Sequence, residues 1–208
     1  MLHIETVEPG TFSVLERLMT IKALKPFALV GGTALSLRHG HRTSIDIDLF
    51  YDKKFEHDPI VKALKKEFGK GYGTESKYYR WGIFCYLDNV KVDIVHHPHP
   101  LIANIQTIDG IRMYDDKDII AMKINAILGR GKKKDFWDLY ELLLHYPLKD
   151  MIAFHEEKFP EQNLPITIPQ AIIYFTDAEE SEDPRSLKGQ TWESVKKFIQ
   201  KKVSDYLR

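Results

Sequence analysis

Two aspartates, Asp46 and Asp48, stand one residue apart in the stretch SIDIDLFY, whose alternation of polar and apolar residues predicts a β-strand over residues 45–51. Because side chains alternate along a strand, both carboxylates should lie on one face, with their Cα atoms roughly 7 Å apart. Ile45, Ile47 and Leu49 should then point into the core. Two carboxylates on one face repel each other unless a cation lies between them, and Mg²⁺ prefers such oxygen ligands. The pair therefore predicts a divalent-metal site, although similar pairs also occur on exposed strands that have no catalytic role.

A third carboxylate could come from a later strand. Asp93 interrupts the otherwise apolar run VDIV, where an acid either faces water at a sheet edge or belongs to a site. Asp88 lies on the same predicted hairpin, so the sequence leaves open which of the two acids joins Asp46 and Asp48. Three such carboxylates would suit Mg²⁺ or Mn²⁺.

A glycine pair follows the short apolar run FALV, which predicts a buried strand over residues 27–30. Gly31 and Gly32 would turn the chain into a short helix over residues 34–38, capped by Thr33. Free backbone amides at a helix N-terminus bind phosphate, and glycine lets phosphate approach the backbone closely. The hydroxyl of Thr33 or Ser44 could add a contact. Such a pair can equally be only a turn.

Basic and acidic residues also recur on two predicted helices further along the chain. Lys123 and Arg130 are seven residues apart and should share a helix face, from which Lys123 could reach a triphosphate. Three lysines at 132–134 stand where the next helix begins, although positive charge there opposes the helix dipole. They indicate either a phosphate-binding place or a solvated run of charge. Asp135 and Asp138 lie on one face of that second helix.

The remaining patterns predict an α+β fold: a small mixed β-sheet with flanking helices over residues 1–114, followed by a helical region over 115–208. A site would then lie in the cleft between the two parts. Helices are predicted over residues 12–24, with Ser13 and Glu16 as a capping box, and over 59–68, 115–128, 133–145, 148–158 and 191–207. Besides those named above, strands are predicted over 78–87, 90–95, 104–108 and 111–114, with a glycine-rich loop over 69–76.

Composition excludes several classes of protein. The 208 residues include 30 basic and 30 acidic side chains, so the chain lacks the general basic excess of many nucleic-acid-binding proteins, although a local basic patch would suffice. Cys85 is the single cysteine, which excludes a disulfide framework and a zinc site built on cysteine pairs. No long apolar run or secretory signal is evident. A cytoplasmic protein without a membrane span is therefore expected.

The order of these motifs resembles the polymerase-beta-type nucleotidyltransferase superfamily, in which a glycine pair with Ser or Thr precedes a DxD strand and a third acid. More narrowly, GGTALSLRHGHRTSIDIDLF is similar to the AbiEii/AbiGii toxin family, and KINAILGRGKKKDFWDLYEL resembles the downstream motif of that family. Thr33 stands where the wider superfamily more often has Ser. The resemblance covers residues 27–50, Asp93 and residues 123–142.

The resemblance also implies a role for each matched residue. Nucleotide phosphates would bind at Gly31, Gly32 and Thr33, together with Ser44, Lys123 and Arg130. Metal ions would bind at Asp46 and Asp48, with Asp93 as the third acid, closest to the attacking hydroxyl. Lys123 and Asp135 would complete the catalytic site from the helical part, and the match is the reason to prefer Asp135 over Asp138.

The implied activity is transfer of a nucleoside monophosphate from an NTP to an acceptor hydroxyl, with Mg²⁺ or Mn²⁺ as cofactor. The acceptor would be a tRNA or other RNA, a protein side chain or a small molecule. The chain would be the toxin of a toxin–antitoxin or phage-defence pair, with an antitoxin protein as partner. Three alternatives stay open: a metal-dependent nuclease, a nucleotide-binding module without transfer activity, and an interaction protein in which the aspartate pair is incidental.

Overall fold

The computed structural model describes residues 1–74 and 80–208, and within them seven strands form one mixed β-sheet. In chain order the strands are β1 (Ala28–Val30), β2 (Ile47–Tyr51), β3 (Tyr72–Thr74), β4 (Gly82–Leu87), β5 (Val90–His96), β6 (Gln106–Ile108) and β7 (Ile111–Met113). Their order across the sheet is β3-β4-β5-β2-β1-β7-β6, with β2 antiparallel to β1 and parallel to β5. The predicted α+β class with a small mixed sheet is confirmed.

Helices flank and then follow the sheet. They are α1 (Pro9–Thr20), α2 (Gly31–His39), α3 (His57–Phe68), α4 (Asp116–Gly129), α5 (Lys133–His145), α6 (Leu148–Lys158), α7 (Ile168–Ala171), α8 (Thr176–Glu179) and α9 (Trp192–Tyr206). None of the helices in the described ranges has the length and apolar character needed to cross a membrane. The bounds predicted for α5 and α6 are confirmed, and those for α4 and α9 are confirmed to within one residue at each end.

The two predicted hairpin turns are confirmed by their backbone angles. Asp88 and Asn89, between β4 and β5, have φ values of 49° and 67°, and Asp109 and Gly110, between β6 and β7, have 48° and 83°. Two successive residues with positive φ give the turn whose twist matches that of two paired strands, and Asn, Asp and Gly tolerate this conformation best. The turn residues thus fix the register of both hairpins.

Several predicted boundaries near the N-terminus are wrong. The first helix begins at Pro9, because proline fits the first helical position, so Ser13 lies inside the helix and not at its cap. The helix α2 begins at Gly31, so Thr33 lies in its first turn and is not the cap. The predicted glycine-rich loop contains β3, which pairs with β4. Residues 78 and 79 of the strand predicted over 78–87 lie outside the described residues.

The start of β2 also differs from the prediction. The strand begins at Ile47, and Ile45 is exposed, whereas Ile47 and Leu49 are fully buried as predicted. The reason lies in the hydrogen bonds of the preceding backbone: the amide of Thr43 donates to the carbonyl of Arg185, and the carbonyl of Asp46 accepts from a side chain of α2. Asp46 therefore lies just before the strand and not within it.

One hydrophobic core joins the sheet to the later helices. It contains Leu29 and Ile47 from the sheet together with Ile120, Leu139 and Ile199 from α4, α5 and α9. Within the described residues, the strands all precede residue 114 and α4 to α9 all follow it, so the chain changes from sheet to helix at the predicted place. Whether residues 1–114 and 115–208 form separate domains stays a prediction.

A buried ion pair ties the helical region to the segment that follows β5. The ammonium of Lys158, in α6, lies 2.7 Å from a carboxylate oxygen of Asp118, in α4, and both side chains are fully buried. Lys158 also donates to the carbonyl of Pro100, and Asp118 accepts from the amides of Ile102 and Ala103. The pair thus holds α4, α6 and the segment near residue 100 together.

We expect Lys158→Met to destabilise the fold by about 3–5 kcal/mol, because the Asp118 carboxylate would stay buried without its cation. The measurement is the free energy of unfolding from urea denaturation. Lys149→Met, at an exposed position on the same helix, is the matched control and should change this free energy by less than about 0.5 kcal/mol. Equal effects of the two substitutions would contradict a structural role for the pair.

Candidate active site

A cavity of about 420 Å³ lies where the sheet meets α4 and α5. It brings together the glycine turn, three of the predicted acids and the basic residues of the helical region, whereas Asp93 and Thr33 are not among its lining residues. Its lining residues are Val30, Gly31, Gly32, Arg42, Ser44, Asp46, Asp48, Phe50, His97, Ile119, Met122, Lys123, Asn125, Ala126, Arg130, Lys134, Asp135 and Phe159. Most of the site residues predicted from the sequence therefore meet in one place.

Acidic side chains gather where β2 and β5 lie side by side. Asp48 on β2 is in register with Asp93 on the parallel strand β5, so both side chains lie on one face of the sheet. Asp46 lies two residues before Asp48 and faces the same cavity. Burial raises the pKa of Asp48 to about 6, and the neighbouring charges of Asp93 and Asp46 add to this effect. The lysines nearby, among them Lys91 and Lys123, offset this effect only in part.

The two candidates for the third acid differ in their surroundings. Asp88 lies in the turn of the β4–β5 hairpin, where it accepts a hydrogen bond of 2.7 Å from Arg17. Asp93 lies beside Asp48 in the sheet and accepts a hydrogen bond of 3.1 Å from Lys91. The geometry therefore favours Asp93 as the third member of the acidic group.

The acidic group fits a hard divalent cation by its chemistry, because carboxylate oxygens are the preferred ligands of Mg²⁺ and Mn²⁺. The fit is supported by the register that places Asp48 beside Asp93, and by the pKa of Asp48, which burial and, secondarily, the charges of Asp93 and Asp46 raise; a bound cation would offset these charges. One of the three carboxylates has another partner nearby: Asp46 lies 3.8 Å from the ammonium of Lys134. A cation would have to draw Asp46 away from that lysine.

The glycine pair is required at its position. Gly31 has a φ of +71°, and a Cβ atom there would lie 2.7 Å from a carboxylate oxygen of Asp48. A Cβ atom on Gly32 would lie 2.3 Å from the guanidinium of Arg42. The two residues open α2, and the N-cap residue Val30 has no side chain that could accept from the first helical amides. This turn therefore offers backbone amides to an anion in the cavity.

Thr33 has a different setting from the one predicted. Its side chain is buried, its hydroxyl is hydrogen-bonded to the carbonyl of Asp46, and it lies 2.8 Å from the hydroxyl of Ser44. Ser44 itself lines the cavity. The threonine thus positions the backbone of the acidic segment, and of these two hydroxyl residues Ser44 is the one that a ligand could contact.

A buried ionic network forms the opposite wall. Asp138 accepts two hydrogen bonds from Arg42, of 2.7 and 2.8 Å, and lies 2.6 Å from the ammonium of Lys123 and 2.7 Å from the imidazole of His41. Burial alone would raise the pKa of Asp138, but the charges of Arg42 and Lys123 outweigh it and hold the pKa well below its usual range. Lys123 also donates to Asp135, at 3.0 Å.

The basic residues of this wall differ in their freedom to bind a ligand. The side chain of Lys123 is 9% exposed and is paired with two aspartates. Arg130 and Lys134 are 60% and 41% exposed, and their closest carboxylates lie 3.8 Å away, on Asp135 and Asp46. Arg130 and Lys134 are therefore the side chains best able to turn towards an anionic ligand, whereas Lys123 is held within the wall.

Sequence reasoning missed several of these residues. Arg42 stands in the RTSIDID stretch, and its bidentate pair with Asp138 joins the two motifs that the resemblance had already matched. Lys134 belongs to the lysine run over residues 132–134, for which the sequence leaves open a phosphate-binding place and a solvated run of charge. The apolar end of the cavity, formed by residues such as His97 and Phe159, had no local pattern because those residues are far apart in the sequence.

The raised pKa of Asp48 predicts a pH-dependent penalty on folding in the metal-free protein. Its pKa is about 6 in the folded chain and about 3.9 in an unfolded chain, so the folded state binds more protons between these values. Stability therefore falls as the pH rises from 4 through 6. We expect Asp48→Asn to stabilise the metal-free protein by about 1–3 kcal/mol at pH 8 and to have little effect at pH 4.

The measurement is urea denaturation at both pH values in the presence of a chelator. Asp150→Asn, at an exposed position on α6, is the control and should leave the difference between the two pH values unchanged. An Asp48→Asn effect of the same size at pH 4 and pH 8 would contradict a raised pKa of Asp48 in the folded chain.

Comparisons with known proteins agree with this geometry. The chain matches the family described as "Nucleotidyl transferase AbiEii toxin, Type IV TA system" over residues 13–205. It is 33% identical to the uncharacterized protein aq_aa25 of Aquifex aeolicus (strain VF5) over 201 residues, which cover 93% of this chain and 94% of that protein.

Solved structures share the fold. JHP933 from Helicobacter pylori superposes with a TM-score of 0.58 at 19% identity, over 95% of this chain and 92% of that one. MenT4, a nucleotidyltransferase toxin from Mycobacterium tuberculosis H37Rv, superposes with a TM-score of 0.59 at 12% identity, over 93% of this chain and 82% of that one. The family match extends over nearly the whole chain and includes both the acidic strand and the ionic wall, so the chain belongs to the AbiEii nucleotidyltransferase toxin family.

Proposed function

We propose that this chain transfers a nucleoside monophosphate from an NTP to an acceptor hydroxyl. In this reaction the acceptor oxygen forms a bond to the α-phosphorus, the bond from that phosphorus to the bridging oxygen of the β-phosphate breaks, and pyrophosphate leaves with that oxygen. The proton of the acceptor hydroxyl passes to a carboxylate or to water. The proposal rests on one observation: carboxylates, basic side chains and the glycine turn all line a single cavity.

Asp46, Asp48 and Asp93 would hold Mg²⁺ or Mn²⁺. Bound divalent cations would neutralise the triphosphate and lower the pKa of the attacking hydroxyl. Asp93 is the third acid of this group, and we assign to it the position closest to the acceptor hydroxyl. Its neighbour Lys91, 3.1 Å away, forms an ion pair with it.

The triphosphate would lie along the basic wall. Arg130 and Lys134 would bind its oxygens directly, because their side chains are exposed to the cavity and only loosely paired. The amides of Gly31 and Gly32 would add backbone donors at the start of α2. Lys123 and Asp135, predicted as catalytic, would act mainly by fixing this wall, with Lys123 also available to the phosphates once a ligand competes with Asp135.

The base of the nucleotide would occupy the apolar end of the cavity. Phe50, His97 and Phe159 line that end, and the ring centroids of Phe50 and His97 are 5.3 Å apart. Burial lowers the pKa of His97 to about 3, so the imidazole is neutral and suits contact with an uncharged base. Asn125 lines the same cavity and could read the polar edge of the base.

The acceptor and the partners are further parts of the proposal. An RNA, and in particular a tRNA, is the acceptor we favour, because Arg130 and Lys134 line the cavity and Lys132, close to them in the chain, is exposed, in a protein of zero formal net charge. An antitoxin partner follows from the toxin–antitoxin system named for the family. A cytoplasmic location, where NTPs and RNA are both present, completes the proposal.

The direct test is transfer of label from each α-labelled NTP, in turn, to total bacterial RNA in the presence of Mg²⁺. Label on an RNA band with the unaltered protein is the expected result, and Asp46→Asn should reduce it at least about 100-fold by removing a metal ligand. Asp150→Asn, exposed on α6, is the matched control and should transfer label normally.

Other outcomes would separate the alternatives. Label on the protein itself would overturn RNA as acceptor while keeping the transfer reaction. RNA that shortens without any NTP would overturn transfer in favour of nuclease activity. Binding of NTP without label on any acceptor would favour a nucleotide-binding module, and no binding at all would leave an interaction protein.

The assignment of Lys134 to the triphosphate makes a separate prediction. We expect Lys134→Gln to raise the KM for NTP roughly 3–10-fold, since it removes a charge-assisted hydrogen bond from a half-exposed site. Lys149→Gln, on the exposed face of α6, should leave KM unchanged. A fall in kcat with no change in KM would show that Lys134 does not bind the nucleotide in its ground state.

A further inference from the structure

A second group of possible metal ligands lies outside the cavity. His39, Glu141 and His145 present ligand atoms that all lie within 4.8 Å of one another. His39 is the last residue of α2 and His145 is the last residue of α5, with Glu141 one turn before it. Two helix C-termini, which carry partial negative charge, therefore meet at this group and favour a cation there.

The ring of His39 is held in place by a carboxylate at one of its two nitrogens. Its Nε2 atom lies 2.9 Å from a carboxylate oxygen of Asp116, the first residue of α4. A carboxylate that accepts from one ring nitrogen fixes the tautomer and leaves the other nitrogen, Nδ1, with a free lone pair. The rings of His39 and His145 lie 5.0 Å apart, so both imidazoles border the same space.

Glu141 has an unused ligand atom. Its side chain is 1% exposed, and one of its oxygens lies 2.6 Å from the ammonium of Lys188 and 3.2 Å from Nε2 of His145. The other oxygen, Oε2, is buried and has no hydrogen-bond partner among the described residues. Buried carboxylate oxygens are normally satisfied, and a metal bound beside Glu141 would give this oxygen a partner.

We propose that His39, Glu141 and His145 bind a divalent transition metal, for which Zn²⁺ fits best. Two imidazoles and one carboxylate are a ligand set typical of Zn²⁺ with one further position for water, whereas Mg²⁺ prefers oxygen ligands alone. The ammonium of Lys188, whose side chain is 41% exposed, occupies the position of the cation and would swing away when the metal binds.

The consequence is a link between two helices that border the active site. The metal would join the end of α2, whose start carries the glycine turn, to the end of α5, whose start carries Asp135 and Asp138. It would therefore hold the wall of the cavity to the glycine turn without contacting the substrate. The proposal does not depend on nucleotidyl transfer, because it concerns residues outside the cavity.

The test is direct titration of the full chain with Zn²⁺, read by competition with a chromophoric chelator, and with Co²⁺, read by its visible absorption. Asp46→Asn serves as the background in which metal binding at the aspartates is weakened. One equivalent of Zn²⁺ should still bind in that background, and saturation at about 100 times the Kd should raise Tm by roughly 5–10 °C.

Variants of the ligands separate the site from chance binding. In the same background, His145→Ala should weaken Zn²⁺ binding at least about 10-fold and abolish the Co²⁺ spectrum, and its 47% exposed side chain makes unfolding an improbable cause. His57→Ala, a partly exposed histidine at the start of α3, is the matched control and should bind normally. Equal binding by both variants would overturn the proposal.

A substitution of Lys188 tests the proposal independently. Lys188→Met removes the competing ammonium, so it should tighten Zn²⁺ binding severalfold while lowering the Tm of the metal-free protein. If the three residues formed only ordinary ion pairs, Lys188→Met would lower Tm, and Zn²⁺ would not restore it. That result, or the absence of a tightly bound equivalent in the unaltered chain, would overturn the proposal.

Discussion

The buried carboxylate of Asp138 is the interaction on which the rest of the site depends. It accepts two hydrogen bonds from Arg42 and lies within 2.7 Å of His41 and Lys123, so it joins α5 to α4 and to the loop between α2 and β2. Removing either cation would leave charge in a region that excludes water, which costs several kcal/mol. Because of this cost, the members of the network stabilise the site only when all of them are present.

The cavity therefore contains both acidic and basic side chains, held on different secondary-structure elements. On the side of the sheet, Asp48 lies beside Asp46 and Asp93, whose charges add to the burial that raises its pKa to about 6. On the side of the helices, Arg130 and Lys134 are loosely paired, and the ammonium of Lys134 lies 3.8 Å from Asp46. A ligand that carries both a divalent cation and phosphates would pair with the carboxylates and with the basic side chains at the same time. The fold thus holds in place charged groups that stay only partly paired until such a ligand binds.

Much of the local structure could be predicted from the sequence, because short sequence patterns reflect interactions between residues that are close together in the chain. The turns at Asp88-Asn89 and Asp109-Gly110, and the helix ends of α5 and α6, were predicted because turn residues and apolar periodicity act over a few residues. The grouping of Asp46 and Asp48 followed from strand periodicity alone. The resemblance indicated Asp93 as the third acid, but its register with Asp48 depends on the order of strands in the sheet, which periodicity could not predict.

What could not be predicted depends on distant contacts. The start of β2 is set by a hydrogen bond between Thr33 and the carbonyl of Asp46, thirteen residues apart in sequence. The preference for Asp135 over Asp138 came from the family pattern, which does not distinguish a carboxylate that lines the cavity from one that holds Arg42. The apolar end near Phe159 is formed by segments that only the tertiary fold brings together.

The measurement that tests this view of the cavity most directly is a crystal structure of the chain with Mn²⁺ and a non-hydrolysable NTP analogue, with anomalous scattering used to locate the metal. We expect anomalous peaks beside Asp46, Asp48 and Asp93, with the triphosphate in contact with Arg130, Lys134 and the amides of Gly31 and Gly32. A triphosphate bound elsewhere, or manganese away from the three aspartates, would contradict the division of the cavity into a metal end and a phosphate wall.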